Sequence, residues 1–219
     1  MFNPNWIGSD RLPVRAIVLT YDDGPGPNTL PIAEYLRDEG IAATFFVVGK
    51  YADERRDVLA RVRNLGHRLG NHTWTHDPVG LPKQYARGDD IASELRRTAA
   101  LLDAAAGRVA FRAPYGLWDA TVATALNTDT ALAAAHVGPV GWDVDDDWRE
   151  WRDGIDPAIA AERYHAAIRA AGRGIVLLHD YAANDDALAA KNRTAELTRA
   201  LVPALIADGF RFAPLDAMI

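Results

Sequence analysis

A chain of 219 residues, 49% hydrophobic and 25% charged, has the balance of an ordinary globular domain, which excludes disorder as the default and leaves room for a sizeable core. The formal net charge of -6, with no Lys/Arg cluster, excludes a surface built on phosphate contacts, so a neutral or polar substrate is expected and a nucleic acid is not. No cysteine is present, which removes disulfides, thiolate nucleophiles and Cys-ligated metals, so any metal must be held by His, Asp or Glu.

The first segment, residues 1–15, has no basic start followed by a sustained apolar region, and no run in the chain approaches the roughly 18 apolar residues of a membrane span. No export signal and no membrane span are therefore expected in the chain as given, and its place of work and oligomeric state stay open. The segments RAIVLT (15–20), AATFFVV (42–48), RVAFRAP (108–114), GPVGWDV (138–144), GIVLLH (174–179) and FRFAPL (210–215) are short, apolar and bounded by Gly, Pro or Asp, and read as buried strands. Helical patterns lie between them. Residues 30–40 close on Gly40, 52–66 on Gly66 and 89–107 on Gly107, with further helices expected over 118–127, 156–171 and 186–208. Strands alternating with helices predict an α/β fold with a mainly parallel sheet, open or closed into a barrel, whose functional groups gather at the C-terminal ends of the strands.

The unusual polar residues fall at those ends. Asp22 and Asp23 follow the first predicted strand directly. Asp-Asp-Gly-Pro is good turn chemistry, yet adjacent side chains on an extended segment diverge, so one carboxylate could bind a metal while its neighbour faces a water. The stretch NHTWTHD supplies His72 and His76 at i and i+4, which would place both imidazoles on one side of a helical turn. With Asp23 they make a set of two imidazoles and one carboxylate, for which zinc is the first expectation among divalent metals and cobalt another. Arg112, ending another predicted strand, would keep Asp22 ionised if it lies near. His179, at the end of GIVLLH, is a second, non-ligating imidazole able to protonate a leaving group.

These stretches, TYDDGPGP, ATFFVVG, HTWTH, RAPYG and LLHD, resemble in order the motifs of the polysaccharide deacetylase family, the NodB-homology carbohydrate esterases of family 4, over about residues 15–215. The resemblance implies one NodB-like domain across 1–219. Its fold would be a distorted (β/α) barrel of about seven parallel strands, and its activity metal-dependent hydrolysis of acetyl groups, most often N-acetyl, from a carbohydrate. By the same resemblance Asp22 would be the general base, with Asp23, His72 and His76 as metal ligands. Arg112 would orient Asp22 and His179 would be the general acid; the backbone N–H of Tyr115 would help hold the oxyanion, and Leu177 would line the acetyl pocket.

One block departs from the family pattern. By the resemblance an Asp-x-x-Asp-Trp segment follows a Trp and its first Asp tunes the catalytic His, whereas WDVDDDW is one residue short between Trp142 and Trp148. Read as a strand, it puts Asp143 and Asp145 on one face, so either could reach His179; counting forward from Trp142 selects Asp145, counting back from Asp147-Trp148 lands on Val144, and Asp145 is the expected partner. Trp148 is either core or a stacking surface for a sugar. Two other readings remain: a deformylase or other amidohydrolase of the same superfamily acting on a small or lipid-linked substrate, and a carbohydrate-binding homologue without catalysis.

Overall fold

The computed structural model of the protein describes residues 1–76, 89–102 and 107–219. Eight strands run among them, β1 (Phe2–Ile7), β2 (Ala16–Asp22), β3 (Thr44–Val47), β4 (Arg68–Asn71), β5 (Val109–Ala110), β6 (His136–Val140), β7 (Gly174–His179) and β8 (Arg211–Phe212). Every ladder between them is parallel. They form two sheets, one in the order β4-β3-β2-β7 with β8 also on β2, the other β1-β6-β5. Single bridges, Asn71 to Phe111 and Val144 to Val176, join the sheets at both sides, so the strands ring a common interior without forming one continuous hydrogen-bonded barrel.

The helices are α1 (Thr29–Asp38), α2 (Gly49–Glu54), α3 (Arg56–Asn64), α4 (Asp89–Ala99), α5 (Ala120–Asn127), α6 (Thr130–Ala135), α7 (Asp147–Asp153), α8 (Pro157–Ala171), α9 (Asp186–Ala189) and α10 (Thr194–Ala207). α8 shows why such segments fold where they do. Asp156 caps it by accepting from the N–H of Ala158, Pro157 presets its first turn, and Gly172 ends it at a φ of 72°.

Buried along all of its length, β2 organises the core. Its period of two sends Ile17, Leu19 and Tyr21 outward to a cluster with Phe45, Val176, Leu178 and the helix residues Ile32, Leu36, Tyr164 and Leu201. Ala16 and Val18 point the other way, to an interior shared with Phe46, Ala110, Val140 and Ile175. Each fully buried Leu, Ile or Phe in these clusters stabilises the fold by about 1.5–3 kcal/mol. Among the described residues no helix is long and apolar enough to cross a membrane.

Several boundaries differ from the sequence reading. The helix expected over 52–66 breaks at Arg55, whose φ of -132° and ψ of 47° are not helical. That over 186–208 is two helices, and part of the one expected over 89–107 falls outside the described residues. The strand expected over 138–144 starts earlier and stops at Val140. β1, β4, α6 and α7 carry no clear periodic signature. In β4, RLGN, a Cβ on Gly70 would stand 2.4 Å from the Phe46 ring, so a contact made only in the folded chain requires glycine there.

Candidate active site

Thr20 and Asp22 continue the inward side of β2, which makes Asp22 the last inward side chain before the chain leaves the sheet. Arg112, which follows β5, is fully buried, and its Nη1 donates to Asp22 Oδ1 and to Thr20 Oγ1, each at 2.8 Å. Nε donates to the carbonyl of Val140 at 3.2 Å and Nη2 to that of Gly141 at 3.0 Å, while the guanidinium carbon stands 4.4 Å from the centre of the Phe46 ring. Removing either charge would strand the other in the interior, a cost of about 3–5 kcal/mol. Asp22 Oδ2 is left toward the cleft, 3.6 Å from His72 Nε2.

Asp23 turns the other way, because its φ of 76° is left-handed and ends the extended chain. Its Oδ2 accepts from the N–H of Ala183 at 2.8 Å. Buried Oδ1 has no hydrogen-bond partner among the described residues, although His72 Nε2 and His76 Nε2 stand 3.5 and 3.2 Å from it. The two histidines lie in the loop after β4 and not on the expected helical turn. Thr73 and His76 take left-handed φ values of 66° and 50°, which still bring the rings to 4.9 Å between centres. His72 Nδ1 donates to the carbonyl of Arg112 at 2.9 Å, so the lone pair of that ring is on Nε2. Burial pushes His76 down to about 4, leaving its ring neutral near pH 7. For Asp23, burial works to raise the carboxyl, but its interactions with His76, His72 and His179 hold it well below the usual carboxylate range.

These three residues fit a divalent metal. Their ligand atoms lie within 4.8 Å of one another, and two ligands each about 2.0–2.1 Å from a tetrahedral zinc are about 3.3 Å apart, close to the separations seen. Two nitrogen lone pairs facing an anionic oxygen repel each other unless a cation lies between them, which also accounts for the unpartnered, buried Oδ1. Two imidazoles and a carboxylate leave further coordination positions open.

His179 ends β7 in register with Asp22 on the neighbouring strand. Its hydrogen-bond partner is Asp147, and the expectation of Asp145 is corrected. Asp147 Oδ1 lies 2.7 Å from His179 Nδ1, and Oδ2 accepts from the N–H of His179 at 2.7 Å and from Thr194 Oγ1 at 3.1 Å. The physical reason is that the chain does not stay extended after Gly141. Asp143 binds the N–H of Ile175, and Asp145 accepts from Trp142 Nε1 at 3.1 Å; Asp146 takes a φ of 112° and starts α7, whose first residue swings under His179. Burial opposes charge on His179, but Asp147, with Asp23 and Asp22 behind it, pushes the ring up to about 10. The ring is therefore an imidazolium at neutral pH, with Nδ1–H on Asp147.

Asp22, Asp23, His72, His76 and His179 line one cleft of about 570 Å³ together with Tyr115, Trp142, Asp145, Trp148, Leu177 and Tyr181, while Arg112 and Asp147 lie fully buried behind it. Tyr115 sits in a short 3-10 turn with a φ of 57°, half-exposed at the rim, and Leu177 is buried against the floor. Trp148 is partly buried, with the guanidinium groups of Arg149 and Arg152 4.9 and 5.3 Å from its ring centre. Three participants were not legible beforehand. Asp147 belongs to the Asp147-Trp148 pair, but counting back from that pair leads to Val144 and not to Asp147 itself. No sequence signal marks the Ala183 N–H, or Glu94 of α4, whose Oε2 accepts from the N–H groups of Trp74 and Thr75 at 3.1 Å each and so fixes the histidine loop.

Comparison with known proteins agrees with the geometry. The polysaccharide deacetylase family model matches residues 9–131. A chitooligosaccharide deacetylase of Bradyrhizobium sp. (strain ANU 289) is 33% identical over 211 residues, 93% of this chain and 90% of the relative. One from Sinorhizobium fredii (strain NBRC 101917 / NGR234) is 36% identical over 204 residues, 89% and 87% of the two chains. Among solved structures, a family 4 acetyl xylan esterase from Clostridium thermocellum in complex with a cobalt ion superposes with a TM-score of 0.68 at 27% identity, covering 93% of this chain and 89% of that one.

Proposed function

Because the chain belongs to the polysaccharide deacetylase family, we propose that it hydrolyses acetyl groups, N-acetyl groups first among them, from an oligosaccharide or polysaccharide of the chitooligosaccharide type, with a divalent metal held by Asp23, His72 and His76 and zinc as the first choice. The observation that carries this reading is the presence in one cleft of an Arg-held carboxylate, Asp22, and an Asp-held imidazolium, His179, beside a fitted metal-ligand set. Its relatives' names, chitooligosaccharide deacetylase, support the substrate class.

The division of labour follows from the environments. With Oδ1 held by Arg112, Asp22 offers Oδ2 to a water in the cleft as general base. A bound divalent ion supplies Lewis acidity toward the acetyl carbonyl oxygen and the attacking water. Tyr115, whose left-handed backbone turns at the rim, offers its backbone N–H to the developing oxyanion, and Leu177 gives the acetyl methyl an apolar wall. His179, protonated and fixed at Nδ1 by Asp147, delivers a proton from Nε2 to the departing amine. Two opposite proton tasks are thus assigned to two groups with different partners, an arginine on Asp22 and an aspartate on His179.

The test is acetate release from chitin oligomers of increasing length, peptidoglycan and acetylated xylan, with metal supplied and with chelator. Acetate from the chitin oligomers, abolished by chelator, is expected. Sugar binding with no acetate from any of these substrates would return the protein to the class of non-catalytic binders, and formate from a formylated amine in its place would move it to the deformylases.

A further inference from the structure

The two histidines of the ligand set are held in different ways. His72 is fixed at both ends, its backbone N–H donating to the carbonyl of Val47 at 3.0 Å and its Nδ1 to that of Arg112 at 2.9 Å. His76 has no such ring anchor; its Nδ1 is buried without a partner among the described residues. The direction of that ring is set by the Tyr115 ring, 4.5 Å from it between centres, and by its left-handed backbone, whose N–H donates to Thr73 Oγ1 at 3.3 Å and whose carbonyl accepts from Tyr115 OH at 3.4 Å. From the loop after β7, Asn184 reaches across to this backbone. Its Nδ2 donates to the carbonyl of His76 at 2.6 Å and to that of Thr75 at 3.2 Å, while its Oδ1 accepts from Lys50 Nζ and, at 3.5 Å, from Tyr51 OH. Two carbonyls on one side and two donors on the other settle which end of the amide is which. The preceding residue of the same loop, Ala183, gives its N–H to Asp23 Oδ2, which turns Oδ1 toward the histidines. Asn184 itself sits at a φ of 64°, a conformation that asparagine tolerates better than most residues.

We propose that Asn184 is a positioning residue for the metal centre: its side-chain amide aims His76 while the adjoining Ala183 N–H aims Asp23, so one dipeptide aligns two of the three ligands. This rests on the reading of Asp23, His72 and His76 as a metal site. Asn184 is exposed at the edge of the cleft and packs no core, so its loss is expected to act on the site and not on folding. Partners beyond the ligands commonly change metal affinity by about 10- to 100-fold.

The test uses full-length protein freed of metal by chelator, titrated with zinc by calorimetry, for wild type and Asn184→Gly, which keeps the left-handed backbone accessible and removes only the amide. The metal-free melting temperature and the imidazole 15N signals of His72 and His76 are recorded alongside. A rise in the zinc Kd of about 10-fold or more, with an unchanged metal-free melting temperature and a signal change confined to His76, is the expected result. A Kd within about twofold of wild type would overturn the proposal; so would a lowered melting temperature with both histidine signals displaced, since Asn184 would then be holding the loop in general. If wild type itself binds no zinc, nickel or cobalt, the metal reading falls and this inference with it, an outcome distinct from a wild type that binds and a variant that binds equally well.

Discussion

The Asp22–Arg112 and His179–Asp147 side of the cleft and the Asp23–His72–His76 side are buried to a similar degree, yet they are finished differently. On the first, both charges have a partner at 2.7 to 2.8 Å. On the second, one carboxylate oxygen and one ring nitrogen are buried with no partner among the described residues. Folding does not leave buried polar groups unpaired without cause, because each costs about 1–3 kcal/mol. The difference teaches that the first side is completed by the chain itself, whereas the second keeps polar atoms for which no described residue supplies a partner.

The largest effect that could break this comparison comes from treating the two sides separately. Stripping metal with a chelator should take acetate release to background and added zinc or cobalt should restore it. Asp22→Asn should lower kcat by about 10²–10⁴-fold with zinc binding retained, and no metal should rescue it. Rescue of Asp22→Asn by metal, or loss of zinc binding in that variant, would mean that the two sides are one unit.

A smaller effect sharpens the completed side. His179 is raised from an ordinary value of about 6.5 to about 10, so the favourable interaction with Asp147 is fully present below the unfolded value and is lost as pH rises through about 10. Asp147→Asn removes the main cause of that rise. The basic limb of the kcat profile should move to lower pH and kcat at neutral pH should fall by about 10- to 100-fold, whereas Asp145→Asn should leave the limb in place. A limb that moves in Asp145→Asn and not in Asp147→Asn would reverse the assignment.

The smallest effect is the surface control. Arg61 Nη2 and Glu34 Oε1 lie 2.6 Å apart with both side chains largely exposed. Arg61→Ala should change the unfolding free energy by less than about 1 kcal/mol, read from urea midpoints, and leave kcat unchanged. A loss comparable with that of breaking the buried Asp22–Arg112 pair would show that burial is not what distinguishes the pairs.

Much of the molecule was legible before folding was considered, where the signal is local. The parallel α/β class follows from alternating apolar runs and helices, and β2, β3 and β7 stand close to where the runs place them. Asp22, Asp23, His72, His76, Arg112 and His179 were named from their motifs, and the structure gathers all but Arg112 in the lining of one cleft and puts Arg112 behind it on Asp22. The Asp145 expectation failed because it extended a strand geometry past Gly141, where a left-handed Asp146 and a new helix redirect the chain. Likewise the i, i+4 histidines meet through two left-handed loop residues, a convergence that helical spacing anticipates for the wrong reason.

By itself, then, the order of residues determined which chemical groups exist and on which strand ends they emerge, since apolar periodicity and short motifs are properties of neighbours in the chain. Tertiary structure alone decided that Asp147 holds His179, that Ala183 and Asn184 tend Asp23 and His76, and that Glu94 fastens the histidine loop. Those contacts join residues 19 to 160 positions apart, from Glu94 and Thr75 to Ala183 and Asp23. Their partners include backbone N–H and carbonyl groups that every residue carries, so no residue type announces them; only the packing of the sheet and helices brings them within reach.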